Sequence, residues 1–453
     1  MNHPPNPATS KSRRDFLKTT AATVAGASLT AALASPVHAS GTDTLKIALV
    51  GCGNRGAGAA VEALRTKGPT QLWALADTFQ DRIDLWINRV QRDVAAAARD
   101  EGKPLIKIDV PKECQFVGLD AYRQAIDACD VVVITGPPGY RPQHFEYAVN
   151  AGKHVFMEKP VASDPAGIRR ILASAKEAKK KNLKVGVGLQ RRHQLCYQEA
   201  IQRINDGEIG DLVALRCYWN GGNPAKQPYD RGKLGELEYQ IRNWYFFAWL
   251  SGDHICEQHV HNLDVCNWIK NGHPVEAQGM GGRQVRTGKE YGNIFDHHAV
   301  EYTYADGTKM FSQCRQIPGC SNEVQEHAHG TKGLVNLDAQ HAELLVGKDR
   351  KWHVSGGEPG YKNNAYQVEH DTLFDAIRND KPYNEAEYGA HSTMTGIIGR
   401  MATYSGQTIK WDQAMKIQKP MTTDAESWEA EAPVKVGPDG RYAIPIPGVT
   451  KFA

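Results

Sequence analysis

Short apolar runs closed by glycine, proline or an acidic residue alternate with helically patterned stretches through the first half of the chain. The runs are Leu45–Val50, Gln71–Ala76, Asp130–Thr135, His154–Met157 and Val185–Leu189. Most are apolar at consecutive positions rather than at every second one. That is the signature of a strand buried on both faces. Between them, Ala57–Leu64, Gln143–Ala151 and Asp164–Lys181 carry helical spacing, and Gly152 follows the second as a cap. Strands alternating with helices over residues 44–190 predict an α/β fold with a doubly wound parallel sheet.

The pattern changes beyond residue 190. Ala299–Tyr304, the turn Ala305-Asp306-Gly307 and Thr308–Cys314 predict a β-hairpin. Another strand is expected at Leu334–Leu337, and helices at Glu369–Arg378 and Ala390–Ser405. Residues 191–415 therefore form a second α/β domain, and the proline-containing stretch 416–453 is expected to run as an arm over the surface or onto a partner subunit. No internal repeat is visible.

Residues 1–39 do not fit either domain. Charges cluster at Lys11, Arg13, Arg14, Asp15 and Lys18, and none follows until Asp43. An Ala/Thr/Gly-rich segment and the small-residue end Val37-His38-Ala39-Ser40 complete the three-part layout of an export leader. The segment is too weakly apolar to be a stable membrane span. Ser12-Arg13-Arg14-Asp15-Phe16-Leu17-Lys18 resembles the twin-arginine (Tat) signal, which implies export of an already folded protein by the Tat translocon, to the periplasm or beyond. Nine cysteines with no C-x-x-C pair then fit burial before export rather than a disulfide framework or a zinc ribbon. The formal charge of +3 equals the leader's own balance. The remaining 50 basic and 50 acidic residues give no nucleic-acid surface.

The first strand runs into Gly51-Cys52-Gly53-Asn54-Arg55-Gly56, a G-x-G-x-x-G loop that opens a helix. Gly51 suits the tight turn, Gly53 the backbone approach of a pyrophosphate, and Gly56 close helix packing. The helix N-terminus supplies N–H groups and positive potential. Asp77 ends the next strand, 21 residues past Gly56. An acidic side chain there binds ribose hydroxyls and repels a 2′-phosphate, which favours NAD over NADP. The alternative is that Asp77 only terminates a strand.

Ala151-Gly152-Lys153-His154-Val155 followed by Glu158-Lys159-Pro160, together with the glycine loop and a later acid-x-x-x-His element, resembles the glucose–fructose oxidoreductase/inositol dehydrogenase (Gfo/Idh/MocA) family over residues 44–415. The resemblance implies a C-terminal α/β domain with an open, largely antiparallel sheet. It also implies a homo-oligomer, dimer or tetramer, and a carbohydrate or polyol substrate. It gives Lys159 the role of polarising the reacting hydroxyl, a task suited to an ammonium. Glu158 is placed beside the nicotinamide, and Pro160 in a turn that aims Lys159 and accommodates a cis bond. Thr135, Pro137 and Arg141 lie at and beyond the end of the run Asp130–Thr135, where Arg141 stands at the family's histidine position, and are expected at the cofactor.

The second catalytic element lies in Glu257-Gln258-His259-Val260-His261-Asn262-Leu263-Asp264. On a continuous helix Glu257, His261 and Asp264 share one face. The resemblance makes His261 the general base, with Glu257 at the usual Asp position and His259 where a small residue is common. A metal site or a buried histidine cluster is the alternative. His259 and His261 would point about 200° apart on a helix, which opposes joint ligation. Arg192, His193, Arg242, Trp244 and His259 are candidate substrate contacts, each also explicable as packing.

An exported dehydrogenase lacks an obvious soluble NAD pool. The expectation is therefore a tightly bound NAD, regenerated in each turnover. Coupled oxidation and reduction of two sugars achieves this. So does a glycoside hydrolase that oxidises, eliminates, adds water and reduces, although the Tyr-Pro-Thr-His type motif of the family's N-acetylgalactosaminidases is absent. An ordinary sugar or polyol dehydrogenase and a non-catalytic NAD-containing binding protein are the other readings.

Overall fold

The computed structural model describes residues 44–452 except 101, 223, 225 and 226, so the leader read at 1–39 lies outside the described residues. Six parallel strands form the first sheet: β1 (Leu45–Val50), β2 (Thr70–Asp77), β3 (Gln115–Val117), β4 (Val131–Ile134), β5 (His154–Met157) and β6 (Val185–Val187). Their order is β3-β2-β1-β4-β5-β6. Side chains alternate between two cores, as strand geometry requires. Leu45, Ile47, Leu49, Val131 and Val133 join helices Asn54–Leu64 and Gln80–Asp100 on one face. Ala48, Val50, Val132 and Ile134 join Phe145, Ile168 and Ile171 on the other. Strand order reverses between β1 and β4, which opens a crevice at their C-terminal ends.

The second sheet has nine strands in the order β14-β13-β12-β11-β7-β10-β9-β8-β15. It runs from β7 (Leu212–Gly221) through β8 (Glu276–Gly282), β9 (His297–Thr303), β10 (Lys309–Gln316), β11 (Glu323–Gly330), β12 (Leu334–Leu337), β13 (His341–Val346) and β14 (Asp349–Ser355) to β15 (Ile409–Lys410). Pairing is antiparallel except between β7 and β10, which run parallel. The expected hairpin is β9–β10, with Thr303 opposite Lys309. One face packs against the helices Val260–Lys270 and Ala386–Ser405 through Tyr302, Met310, Ile397 and Met401. Helix Ala365–Arg378 returns to the first sheet, where Leu373, Phe374 and Ile377 complete its core.

Among the described residues, the last segment forms no helix or strand beyond residue 414 apart from one bridge, Val436 to Tyr442. It lies over this chain's own first domain. Met421 N donates to Asp164 Oδ2 at 2.6 Å, and Asp424 pairs with Arg170 at 3.0 Å. Glu426 pairs with Arg123, and the Trp428 ring stacks on Phe79 at 5.7 Å. Farther on, Tyr442 donates to Glu236 at 2.6 Å.

Candidate active site

The glycine loop is shaped by contacts that admit no side chain at two of its positions. Gly51 has φ +102°, and a Cβ there would meet Gly136 N at 2.5 Å. A Cβ on Gly56 would lie 2.3 Å from Gly51 O, whereas nothing lies within 4 Å of one on Gly53. Thr135 Oγ1 holds the loop by donating to Gly51 O at 2.6 Å. The open space at Gly53 faces a helix start that no side chain caps. This cradle fits a pyrophosphate. Asn54, the next residue, is exposed and accepts from Arg89. Asp77 bounds the loop on the other side, its carboxylate accepting from Cys52 N at 2.7 Å and Phe79 N at 3.0 Å. Burial pushes the Asp77 carboxyl up, against the pull of these two donors.

Arg141 does not project into the cleft. Its buried guanidinium donates to Pro160 O and to Gly136 O, tying the turn around Pro137 to the turn after Lys159. Burial pushes it down to about 10. The Lys159–Pro160 bond is cis.

Lys159 Nζ donates to the main-chain oxygen of Glu257 at 2.6 Å and lies 3.5 Å from its carboxylate. Glu158 accepts from Lys159 N at 3.1 Å and from Arg55 Nε. Burial opposes its charge, but Arg55 and Lys159 outweigh burial and hold it below the usual range. His261 is buried, with its ring stacked near Trp219 at 6.0 Å. Burial, then the cations Lys159 and Arg191, push it well below the ordinary histidine value, so the imidazole is neutral and able to accept a proton.

The continuous helix expected through Glu257 and Asp264 is broken. His254–Glu257 and Val260–Lys270 are separate helices. Between them Gln258 is held through its side chain, which accepts from Gln316 of β10 at 2.8 Å. The spacing from Glu257 to Asp264 therefore does not run along one continuous helix. Glu257 turns to Lys159. Asp264 pairs with Arg192 at 2.8 Å and accepts from Ser392 at 2.7 Å.

The candidate substrate residues are already engaged. Arg192 lies over the Tyr388 ring at 3.9 Å, besides pairing with Asp264. His193 meets Glu385 at 3.2 Å. His259 is buried against Ser312 Oγ at 2.7 Å and Cys217 Sγ at 3.7 Å. Arg242 pairs with Asp81 and Glu238 and covers the Phe79 ring at 3.8 Å. It thus belongs to the turn after Asp77. Trp244 is half-buried in an edge contact with Tyr245 at 5.6 Å. Glu257, His259 and His261 face different partners and do not converge as metal ligands. Among the described residues, Asp253, His254 and His298 bring donor atoms within 4.8 Å of one another. Asp253, however, already accepts from His254 N and Nδ1, Phe295 N and Tyr404 OH, as the cap of helix His254–Glu257.

Two groups escaped the sequence reading. Gln316 links Tyr245 OH, at 2.6 Å, to Gln258 beside Glu257. Tyr366 and Glu369, on helix Ala365–Arg378, reach over to Arg55. Both groups lie far along the chain from the motifs they serve, and no local spacing announces them.

Residues 45–187 match the family model described as an oxidoreductase family with an NAD-binding Rossmann fold. Residues 197–336 match the GFO/IDH/MocA C-terminal domain, and residues 12–30 match the signal of the twin-arginine translocation pathway. The signal marks the chain for Tat export. No helix among the described residues is long and apolar enough to cross a membrane. An inositol 2-dehydrogenase of Pseudomonas fluorescens is 29% identical over 203 residues, 43% of this chain and 52% of that protein. The chain spans about half the length of such relatives. Among solved structures, the aldose–aldose oxidoreductase of Caulobacter crescentus, complexed with glycerol, has a TM-score of 0.62 at 18% identity, covering 81% of this chain and 100% of that one. Scyllo-inositol dehydrogenase of Lactobacillus casei, with bound NAD(H) and scyllo-inositol, has a TM-score of 0.57 at 22% identity, covering 82% and 100%.

Proposed function

The chain belongs to the Gfo/Idh/MocA oxidoreductase family, and from that premise we propose that it is an exported enzyme oxidising a hydroxyl-bearing carbon of a sugar, polyol or glycoside with NAD. The observation that carries the reading is the convergence of Lys159 and Glu257, beside a neutral His261, past the end of β5. The bound dinucleotide supplies a hydride acceptor. Lys159 directs its ammonium at the reacting hydroxyl, lowering its proton affinity and stabilising the developing negative charge. His261 accepts the hydroxyl proton as an uncharged base. Glu257 orients Lys159 through its main-chain oxygen.

Gly51, Gly53 and Gly56 shape the pyrophosphate cradle, and Asp77 offers a carboxylate to the ribose, which favours NAD over NADP. We further propose that the cofactor stays bound and is regenerated in each turnover. Support comes from the turn after Asp77, which is clasped twice. Arg242 and Trp428 both contact the Phe79 ring, and Arg82 donates to Tyr229 OH. The name aldose–aldose oxidoreductase, carried by a structure of similar fold, is that of a reaction between two sugars, the kind of pairing this reading requires. We propose a homo-oligomer that packs through the face of the second sheet on which Phe311 and Met280 are exposed; light scattering tests it.

The deciding experiment is purification of the exported protein, measurement of bound nucleotide, and incubation with sugars, polyols and aryl glycosides without added oxidant. Stoichiometric NAD with turnover of paired sugars or of a glycoside supports the recycling reading. Nucleotide-free protein that turns over only with added NAD leaves an ordinary dehydrogenase. Retained NAD that no member of the panel reduces overturns the catalytic reading.

A further inference from the structure

Arg55 occupies a position in the glycine loop that the sequence assigns to the cofactor, yet its guanidinium is engaged by carboxylates. Nε donates to Glu158 Oε1. Nη2 pairs with Glu62 at 2.9 Å and with Glu369 at 3.4 Å. The Tyr366 ring lies 4.7 Å from the guanidinium carbon. The Glu158 carboxylate is held on two further sides. Lys159 N donates to its Oε2, and its atoms fill the space beside Gly188, where a Cβ would lie 2.8 Å away.

Two acidic side chains therefore act on Lys159, Glu257 by direct pairing and Glu158 through an electrostatic interaction. Glu257 is 3.5 Å from its ammonium, and Glu158 is its neighbour in sequence. An ammonium closely paired with a second carboxylate has its field at the substrate hydroxyl largely cancelled and its proton held more tightly. We propose that Arg55 is a positioning residue that claims the Glu158 carboxylate and so keeps the Lys159 ammonium available to the substrate. The inference rests on the reading of Lys159 as the group that polarises the hydroxyl.

The surrounding charges agree with this division. Glu62 comes from the same helix as Arg55. Glu369, from helix Ala365–Arg378, is pushed well up by burial and then by the Glu158 charge, so it competes weakly for the guanidinium. His370, on that helix, is kept neutral by burial and by Arg55. Arg141 lies beyond Pro160, engaged with main-chain oxygens, and His261 faces Lys159 uncharged. Arg55 is thus the cation that meets Glu158 through its side chain, and Arg55→Met releases that carboxylate.

The test reads Lys159 directly. Its side chain is 15% exposed and open to a small acylating reagent. Limited acetylation of the whole exported protein across a range of pH, followed by mass spectrometry of the Lys159 peptide, gives the pH of half-labelling. In Arg55→Met this midpoint is expected to move up by about one pH unit, because the freed Glu158 pairs with the ammonium. The double variant Arg55→Met/Glu158→Gln returns it to or below the wild-type position, and Arg55→Lys keeps it near wild type. Arg55→Gln replaces Arg55→Met if the latter does not accumulate as folded protein. An unchanged or lowered midpoint in the neutral variants overturns the proposal, as does a double variant that remains shifted. These readouts need no turnover. Absence of hydride transfer in the wild-type protein would count against the catalytic reading alone.

Discussion

The Lys159 ammonium donates to the main-chain oxygen of Glu257 at 2.6 Å, joining the turn after β5 to the short helix His254–Glu257. The cation is aimed by a carbonyl that no side-chain substitution at Glu257 removes. Lys159→Ala is expected to lower turnover by about 10²–10⁴-fold while leaving dinucleotide binding within a few-fold of wild type. Single-turnover reduction of bound nicotinamide, compared with nucleotide affinity, checks this. Substantial turnover in the variant removes Lys159 from the chemistry.

His261, the proposed base, is expected to set the acid limb of activity. Protonation would inactivate it as a base, and burial, Lys159 and Arg191 all oppose protonation. The kcat profile should therefore hold up on lowering the pH through the ordinary histidine range near 6.5, with its acid limb below that value. His261→Asn should lose about 10²-fold or more in kcat. A wild-type limb centred above the ordinary histidine value, and absent in the variant, would contradict the assignment.

The two inner glycines of the loop should fail in different ways. Gly56→Ala places a methyl group 2.3 Å from Gly51 O and should destabilise the fold by about 1–3 kcal/mol. Gly53→Ala meets no protein atom within 4 Å, so it should fold normally and lose dinucleotide affinity. Urea unfolding of the nucleotide-free proteins and nucleotide titration separate the two outcomes.

Asp77 should discriminate between the cofactors. Removing a charged acceptor of ribose hydroxyls costs about 1.5–3 kcal/mol, or about 10–200-fold in NAD affinity. Asp77→Ala should show that loss and a narrower gap between NAD and NADP, measured by titration. Equal losses for both cofactors would place Asp77 in loop support alone, through its bonds to Cys52 and Phe79.

Stability should fall in mild acid. His144, stacked on Tyr122 at 4.3 Å, is pushed down to about 3 by burial, with Arg141 and Arg170 adding to the effect. The unfolded chain takes up a proton near pH 6.5 and the folded chain does not. Stability is therefore complete above that value and declines between about 6.5 and 3, by about 2 kcal/mol at pH 5 from this residue. His144→Phe keeps the stacked ring and should reduce the acid sensitivity by that amount in urea unfolding at the two pH values. An undiminished sensitivity would contradict the assignment.

The first domain was legible because its signals are local. β1, the glycine loop and the following helix adjoin in sequence, and β4 and β5 are short runs buried on both faces. The helix Gln80–Asp100 was not read, although Ile83, Trp86, Val90 and Val94 are buried along it. Its polar residues dominate the segment and hide that stripe. β7 was missed because it begins half-buried and carries polar residues through its length. At the site, Lys159 and His261 are marked by their motifs. The break at Gln258 was not, and the side chain that meets it there, Gln316, lies 58 residues away. Arg242 illustrates the same limit. Composition suggested a sugar contact, whereas its partners Asp81 and Phe79 come from the first domain.

The segment after residue 414 also ties distant parts of the chain together. Met421 bonds Asp164 across 257 positions, and Glu426 pairs with Arg123 across 303. A proteolytic cut between helix Ala386–Ser405 and Met421 would therefore leave the segment held by non-covalent contacts alone, with Asp164, Arg123 and Phe79 on one side and Glu236 on the other. Its retention or loss after such a cut would weigh those contacts directly.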